Sequence, residues 1–274
     1  MVCLKYIKII VLIFLCFFAL SHTAYSHELW LDSKTFQIEA GETLEIEIRN
    51  GENFEGINLS FFNNRIKQFF WAQDDKLTTV TSRVGEVPAM RVSMDRDGLV
   101  SVVYESKPSF LTYSEWEKFV EFVNHKDLGN IVDRHTANAW PKDSFKEIYH
   151  RYSKALIGVG TAYGADQNFG LTTEFVALEN PYLDKTPETF VVQLLYEGAI
   201  RTNAQVEIFE RNKKREVRVF TMRTNDLGKV FIPVKGGHDY LIDSVIMREF
   251  NSDKENSPLW ESLWAALTFS VPKK

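Results

Sequence analysis

From residue 27 onward the sequence contains no cysteine; Cys3 and Cys16 both fall in the opening segment. That excludes a disulfide, a thiolate metal site and a cysteine nucleophile from the rest of the chain. Enzyme signatures are missing too. There is no phosphate-binding P-loop, no G-x-S-x-G elbow and no dinucleotide glycine motif. The glycines of "GVGTAYG" have the wrong spacing for one and read as a linker. Neither H-E-x-x-H nor two histidines at i, i+4 occurs, so no helical zinc site is encoded. No catalytic residues are expected. A net charge of −5 argues against nucleic acid, and against a membrane surface bound by overall charge.

Nor is there an apolar run of the roughly 20 residues that a bilayer span takes. Ile9 to Leu20 supplies 12, preceded by Lys5 and Lys8 and followed by the small residues Ala24 and Ser26. This is the pattern of a cleaved secretory signal over 1–26. It places the mature protein in the periplasm with no transmembrane segment. Loss of the two lysines moves the net charge from −5 to −7.

What is present is mostly β pattern. "TLEIEIRN" alternates, with Leu44, Ile46 and Ile48 on one face and Glu45, Glu47 and Arg49 on the other. Further short apolar segments up to "LVSVVYE", separated by Gly, Asn, Asp and Pro, predict an N-terminal β-sandwich over 27–107. In "YSEWEKFVEFVNH" the period becomes helical: Trp116, Phe119, Val120 and Val123 share a face, and Ser114 with Glu117 reads as a capping box. A second helix is predicted from Ser144 to Leu156, with Ile148, Tyr149, Tyr152 and Leu156 apolar and Lys146, Glu147, His150, Arg151 and Lys154 on a solvated face. These define a helical insert over 108–160. Strands return over 161–274, about as many as an immunoglobulin-like domain has. The fold class is all-β with a helical insert: two antiparallel sandwich regions joined by two to three helices. The basic run "RNKKREVR" reads as a charged hairpin tip.

Six ordered segments, "HELWLDSKTFQIEAGETLEI", "YESKPSF", "YHRYSKALIGVG", "GLTTEFVALENPY", "RTNDLGKVFIPV" and "WESLWAALTFSV", together resemble the domain-of-unknown-function family 4198. The resemblance implies a secreted bacterial protein with a C-terminal carboxypeptidase-regulatory-like sandwich. It also implies an association with periplasmic parts of nickel and cobalt uptake systems. The resemblance further implies a histidine in the last long strand, before a Met, as many members carry. This chain has Ile246 there, before Met247.

Cleavage after Ser26 would leave His27 first. A free N-terminal histidine offers an α-amine and an imidazole, which can close a chelate ring on Ni²⁺, Co²⁺ or Cu²⁺. Further ligands are needed, and Glu28 and Asp32 lie nearest in sequence. His238, after Gly236 and Gly237 in a loop, is the best-placed distant candidate. The expected function is a non-catalytic periplasmic metal-handling accessory, partnered by a nickel/cobalt transporter or another envelope protein. The alternative is a metal-free binding or scaffold module contacting envelope proteins or glycans.

Overall fold

The computed structural model describes residues 27–183, 188–252, 254 and 256–273. The expected signal segment lies outside them. Strands dominate. The first nine are β1 (Glu28–Asp32), β2 (Gln37–Ile38), β3 (Thr43–Glu52), β4 (Glu55–Leu59), β5 (Ile66–Gln73), β6 (Lys76–Thr79), β7 (Met90–Ser93), β8 (Gly98–Ser106) and β9 (Ser109–Tyr113). Two helices follow, α1 (Trp116–His125) and α2 (Ile131–Ala137). Then come β10 (Phe145–Val159), β11 (Thr173–Ala177), β12 (Thr189–Tyr196), β13 (Ala199–Ile200), β14 (Gln205–Arg211), β15 (Val217–Arg223), β16 (Lys229–Pro233), β17 (His238–Glu249) and β18 (Trp260–Val271).

The strands of the two β regions share one sheet. Its order is β15-β14-β17-β18-β10-β8-β5-β6, with β2 and β9 also on β10. A smaller sheet of β1, β3, β4 and β7 packs on it, and so does another of β11, β12, β13 and β16. One apolar core joins all three: Leu31 and Ile46 from the first small sheet, Phe190 and Val192 from the second, Val102, Ile157, Ile242 and Leu267 from the large one. The expectation that the two β regions fold as separate sandwiches is therefore corrected: each keeps one small sheet of its own, and both contribute strands to the large one.

Strand β10 corrects a second expectation, since 145–159 is strand where a helix was predicted over Ser144 to Leu156. It lies mid-sheet, parallel to β18 and antiparallel to β8 and β9. A central strand buried on both faces has no period-two alternation to betray it. Of its charged residues Lys146 is exposed, but Glu147, Arg151 and Lys154 are buried. Lys154 Nζ is 2.7 Å from Asp166 Oδ2 and 3.0 Å from Glu174 Oε1, and it also donates to the carbonyls of Gln167 and Phe175. The Arg151 guanidinium stacks 3.8 Å over Trp264, and His150 meets Glu261 at 3.1 Å.

Helix α1 forms where its period predicts, burying Phe119, Phe122 and Val123. Glu115 takes the N-cap position and makes no side-chain cap bond, so the Ser114 capping box does not form. The helices pack on an aromatic cluster around His135. That ring accepts from Trp260 Nε1 at 2.9 Å, so its other nitrogen carries the proton and donates to the Pro141 carbonyl at 2.9 Å. Burial lowers the His135 pKa, keeping the ring neutral.

Candidate functional site

Three strands carry the same local pattern: a charged residue, then at i+2 an apolar one, then at i+4 a second charge. These are Glu28-Trp30-Asp32 on β1, Glu207-Phe209-Arg211 on β14 and Asp239-Leu241-Asp243 on β17. Residues at i, i+2 and i+4 share one strand face. Glu207 lies opposite Asp243, and Arg211 opposite Asp239. Trp30, Phe209 and Leu241 form a buried apolar layer together with Phe54 and Ala266. Two ionic layers bracket it, roughly 13 Å apart at four residues of strand rise.

At one end, Arg211 grips both oxygens of Asp32 at 3.0 Å and reaches Asp239 Oδ2 at 3.1 Å. Its guanidinium lies 3.9 Å over Phe54. Phe54 arrives there from the turn between β3 and β4, where Asn53 and Phe54 both have positive φ, at 52° and 59°. Two such residues make the hairpin turn whose twist matches the strands. Gly51 pairs with Gly56 just behind it, and a Cβ on Gly51 would stand 2.0 Å from the Glu55 carbonyl.

At the other end, α1 terminates by handing Lys126 to the sheets. The Lys126 ammonium donates to Glu28 Oε1 at 2.9 Å, Glu207 Oε2 at 2.6 Å and Asp243 Oδ2 at 3.1 Å. Gln205 Nε2 ties the His125 carbonyl to β14 at 2.7 Å. Burial by itself would lower the Lys126 pKa, but Asp243, Glu28 and Glu207 together hold it above the ordinary lysine value. Burial pushes Asp243 up to about 6 despite Lys126. Burial acts on Glu207 in the same sense, but the His125 hydrogen bond and the Lys126 charge outweigh it and bring it down to about 2. The three carboxylates have the spacing of a metal cluster. The cation among them is the lysine ammonium.

A cavity of about 230 Å³ opens beside this cluster, lined by Glu28, Glu52, Asn53, Phe122, His125, Lys126, Glu207 and Phe209. Two imidazoles face its carboxylates. His27 Nδ1 lies 3.1 Å from Glu52 Oε1, and His125 Nε2 lies 3.1 Å from Glu207 Oε1. The Glu52 oxygen is enclosed and makes no hydrogen bond of good geometry. Glu207, bonded to the ring, raises the His125 pKa.

The four ligands expected from sequence do not assemble. Glu28 lines the cavity but is engaged by Lys126, and His27 meets the lining at Glu52. Asp32 is spent on Arg211. His238 begins β17, five residues or roughly 16 Å along the strand from Asp243, and its ring nitrogen meets the Gly236 carbonyl at 3.3 Å. Ile246, also on β17, packs beside a separate apolar cluster of Val103, Tyr152, Leu171 and Leu263. Sequence reasoning missed Glu52, His125, Lys126, Glu207 and Asp243. The signal for two of the five, Glu207 and Asp243, was the charge-apolar-charge spacing that β14 and β17 share with β1.

The chain is thus mostly β, with a carboxylate-lined cavity at the start of its first strand. It belongs to the family described as Domain of unknown function (DUF4198), whose model matches residues 24–248. No curated protein matches it. Among solved structures it is similar to a tetra-tandem repeat from the extending region of a large adhesion protein, at 10% identity and a TM-score of 0.21. That match covers 88% of this chain, which spans about half (49%) of the repeat structure. The three N-terminal domains of the bacteriophage RB49 outer capsid protein Hoc give 7% identity, 90% and 71% coverage and a TM-score of 0.19. The Yersinia pseudotuberculosis adhesin InvE gives 10%, 89% and 58%, and 0.18. At such scores the likeness carries no functional argument. Among the described residues no helix is long and apolar enough to cross a membrane.

Proposed function

We propose that the protein is a non-catalytic periplasmic metal-handling accessory that takes Ni²⁺, Co²⁺ or Cu²⁺ at the cavity mouth. It would pass the ion to a nickel/cobalt transporter or another envelope protein. The observation that carries this reading is the His27–Glu52 pair at 3.1 Å beside the acid-lined cavity. Two donors bound to one ion at about 2.0–2.2 Å, at right angles, stand about 3 Å apart. The chelate would be the His27 imidazole, the α-amine released by cleavage, and Glu52. His125 and Glu207 on the cavity wall replace Asp32 and His238 in the ligand set. Imidazole and amine nitrogens with carboxylate oxygen suit these borderline divalent ions. Titration calorimetry of the mature protein tests it: micromolar binding, weakened by His27→Ala and Glu52→Gln, is expected. Unchanged affinity in both variants overturns it.

One observation favours the metal-free scaffold reading as the second. The buried acidic cluster already has its counter-ion in Lys126 and needs no metal for neutrality. On either reading we take the C-terminal strands as an immunoglobulin-like sandwich. Support comes from the facing of β12 on the β17–β18 pair, where the Phe190 and Phe269 ring centroids are 4.2 Å apart.

A further inference from the structure

The hairpin joining β14 to β15 carries Lys213, Lys214 and Arg215, all exposed. Asn212 builds its turn, accepting from the backbone N–H of Lys214 at 2.9 Å and of Glu216 at 3.0 Å, and Arg215 sits at a φ of 65°. Lys213 leans across Gly237, and Lys273 approaches the same glycine from the chain's end. Lys213 Cε and Lys273 Cβ each stand 3.3 Å from where a Cβ on Gly237 would be. Lys235 is close by in sequence and already holds Glu210 at 2.6 Å. Among the described residues no carboxylate lies within ion-pair distance of Lys213, Lys214, Arg215 or Lys273. Lys213, Lys214, Arg215 and Lys273 therefore gather at one end of a chain whose net charge is −5, with Glu216 the one carboxylate on the turn itself. Overall charge conceals this asymmetry.

We propose that this tip docks the protein on a phosphate-bearing anionic lipid surface. Flexible lysine stems on a projecting turn suit a planar array of mobile anions, and each basic residue adds to such binding independently. The tip carries no aromatic ring to stack a base or a sugar. Within a Debye length of about 8 Å the tip cations act on the surface, while the acidic body further off is screened. The docked orientation also has a consequence. Strand β14 runs from Glu207, at the cavity, to Arg211, at the base of the tip. The His27 end would then point away from the lipid, toward partners in the periplasm. The surface is a separate feature from the metal reading and stands or falls without it.

Sedimentation with phosphatidylglycerol/phosphatidylcholine vesicles tests the proposal on the mature protein. The tip variant is Lys213→Gln, Lys214→Gln, Arg215→Asn, where Asn tolerates the positive φ. A charge-matched control removes three exposed cations elsewhere, as Lys76→Gln, Arg83→Gln, Arg96→Gln. The expected result is binding to anionic vesicles, none to pure phosphatidylcholine, and loss at high salt. The tip variant should bind about a hundredfold more weakly, and the control far less affected. Absence of binding to anionic vesicles overturns the proposal. So does equal weakening of tip variant and control, or retention on a sulfated glycan resin with none on vesicles.

Discussion

Lys126 Nζ stands 2.9 Å from Glu28 Oε1, joining the end of a helix to the first residue of β1 across 98 positions of sequence. Glu207 and Asp243 complete its shell, so one ammonium ties α1, β1, β14 and β17 together. A buried charge with one partner deleted is costly, whereas the intact cluster is not necessarily a source of net stability.

Replacing Lys126 by Met should therefore destabilise the protein by about 3–5 kcal/mol at pH 7, because three carboxylates lose their shared cation. Urea denaturation measures it. Adding Asp243→Asn to Lys126→Met should recover part of the loss; a double variant no better than the single contradicts the account.

The same cluster sets a pH dependence. Burial pushes Asp243 up to about 6 in the fold, well above an ordinary aspartate, so the folded state keeps a proton that the unfolded chain has lost. Stability from this group falls as pH rises from about 4 to 6. The raised His125 pKa adds stability that is fully present below its unfolded value and lost as pH rises through the folded one. Glu207 acts oppositely, its contribution disappearing as pH drops from about 4.5 toward 2. The lowered His135 and His150 pKa values act in the opposite sense over the same range, so the prediction is of a difference between variants. From pH 5 to pH 8 the native protein should lose stability relative to Asp243→Asn, and equal changes in the two contradict this.

Asp32 and His125 should separate structure from ligation. Asp32→Asn breaks the two-oxygen grip on Arg211 and should cost about 2 kcal/mol of stability with no change in metal affinity. His125→Ala should weaken metal binding roughly tenfold or more, by analogy with second-shell losses. Calorimetry and denaturation on the same two variants decide it. The reverse pattern would restore Asp32 as a ligand.

How far this was legible in sequence depended on whether a strand has one wet face. In β3, Leu44, Ile46 and Ile48 alternate with half-exposed residues, and the strand was plain. In β10 both faces are buried, and the apolar residues 148, 149, 152 and 156 happen to fall at helical spacing. Arg151 and Lys154 then mimicked a polar helix face, because nothing local reveals that Trp264, Asp166 and Glu174 are waiting for them. The proposed start at His27 was readable as chelate chemistry. Its neighbour Glu52 was not, since it comes close only because β1 pairs with β3 in a register setting Glu28 opposite Gly51. Lys126 was hidden for the same reason, its partners lying on three distant strands.

The central claim is that His27 acts as a ligand through its imidazole and its own α-amine together. The most direct measurement compares Ni²⁺ and Cu²⁺ calorimetry of the native mature protein with a form carrying one extra residue before His27. The extension keeps the imidazole and Glu52 in place and removes only the adjacent free amine. Native protein should bind with micromolar affinity, worth about 8 kcal/mol. The extended form should bind ten- to a hundredfold more weakly, and the native affinity should rise between pH 6 and 8 as the amine loses its proton. Equal affinity in the two forms would contradict the account and leave the scaffold reading in its place.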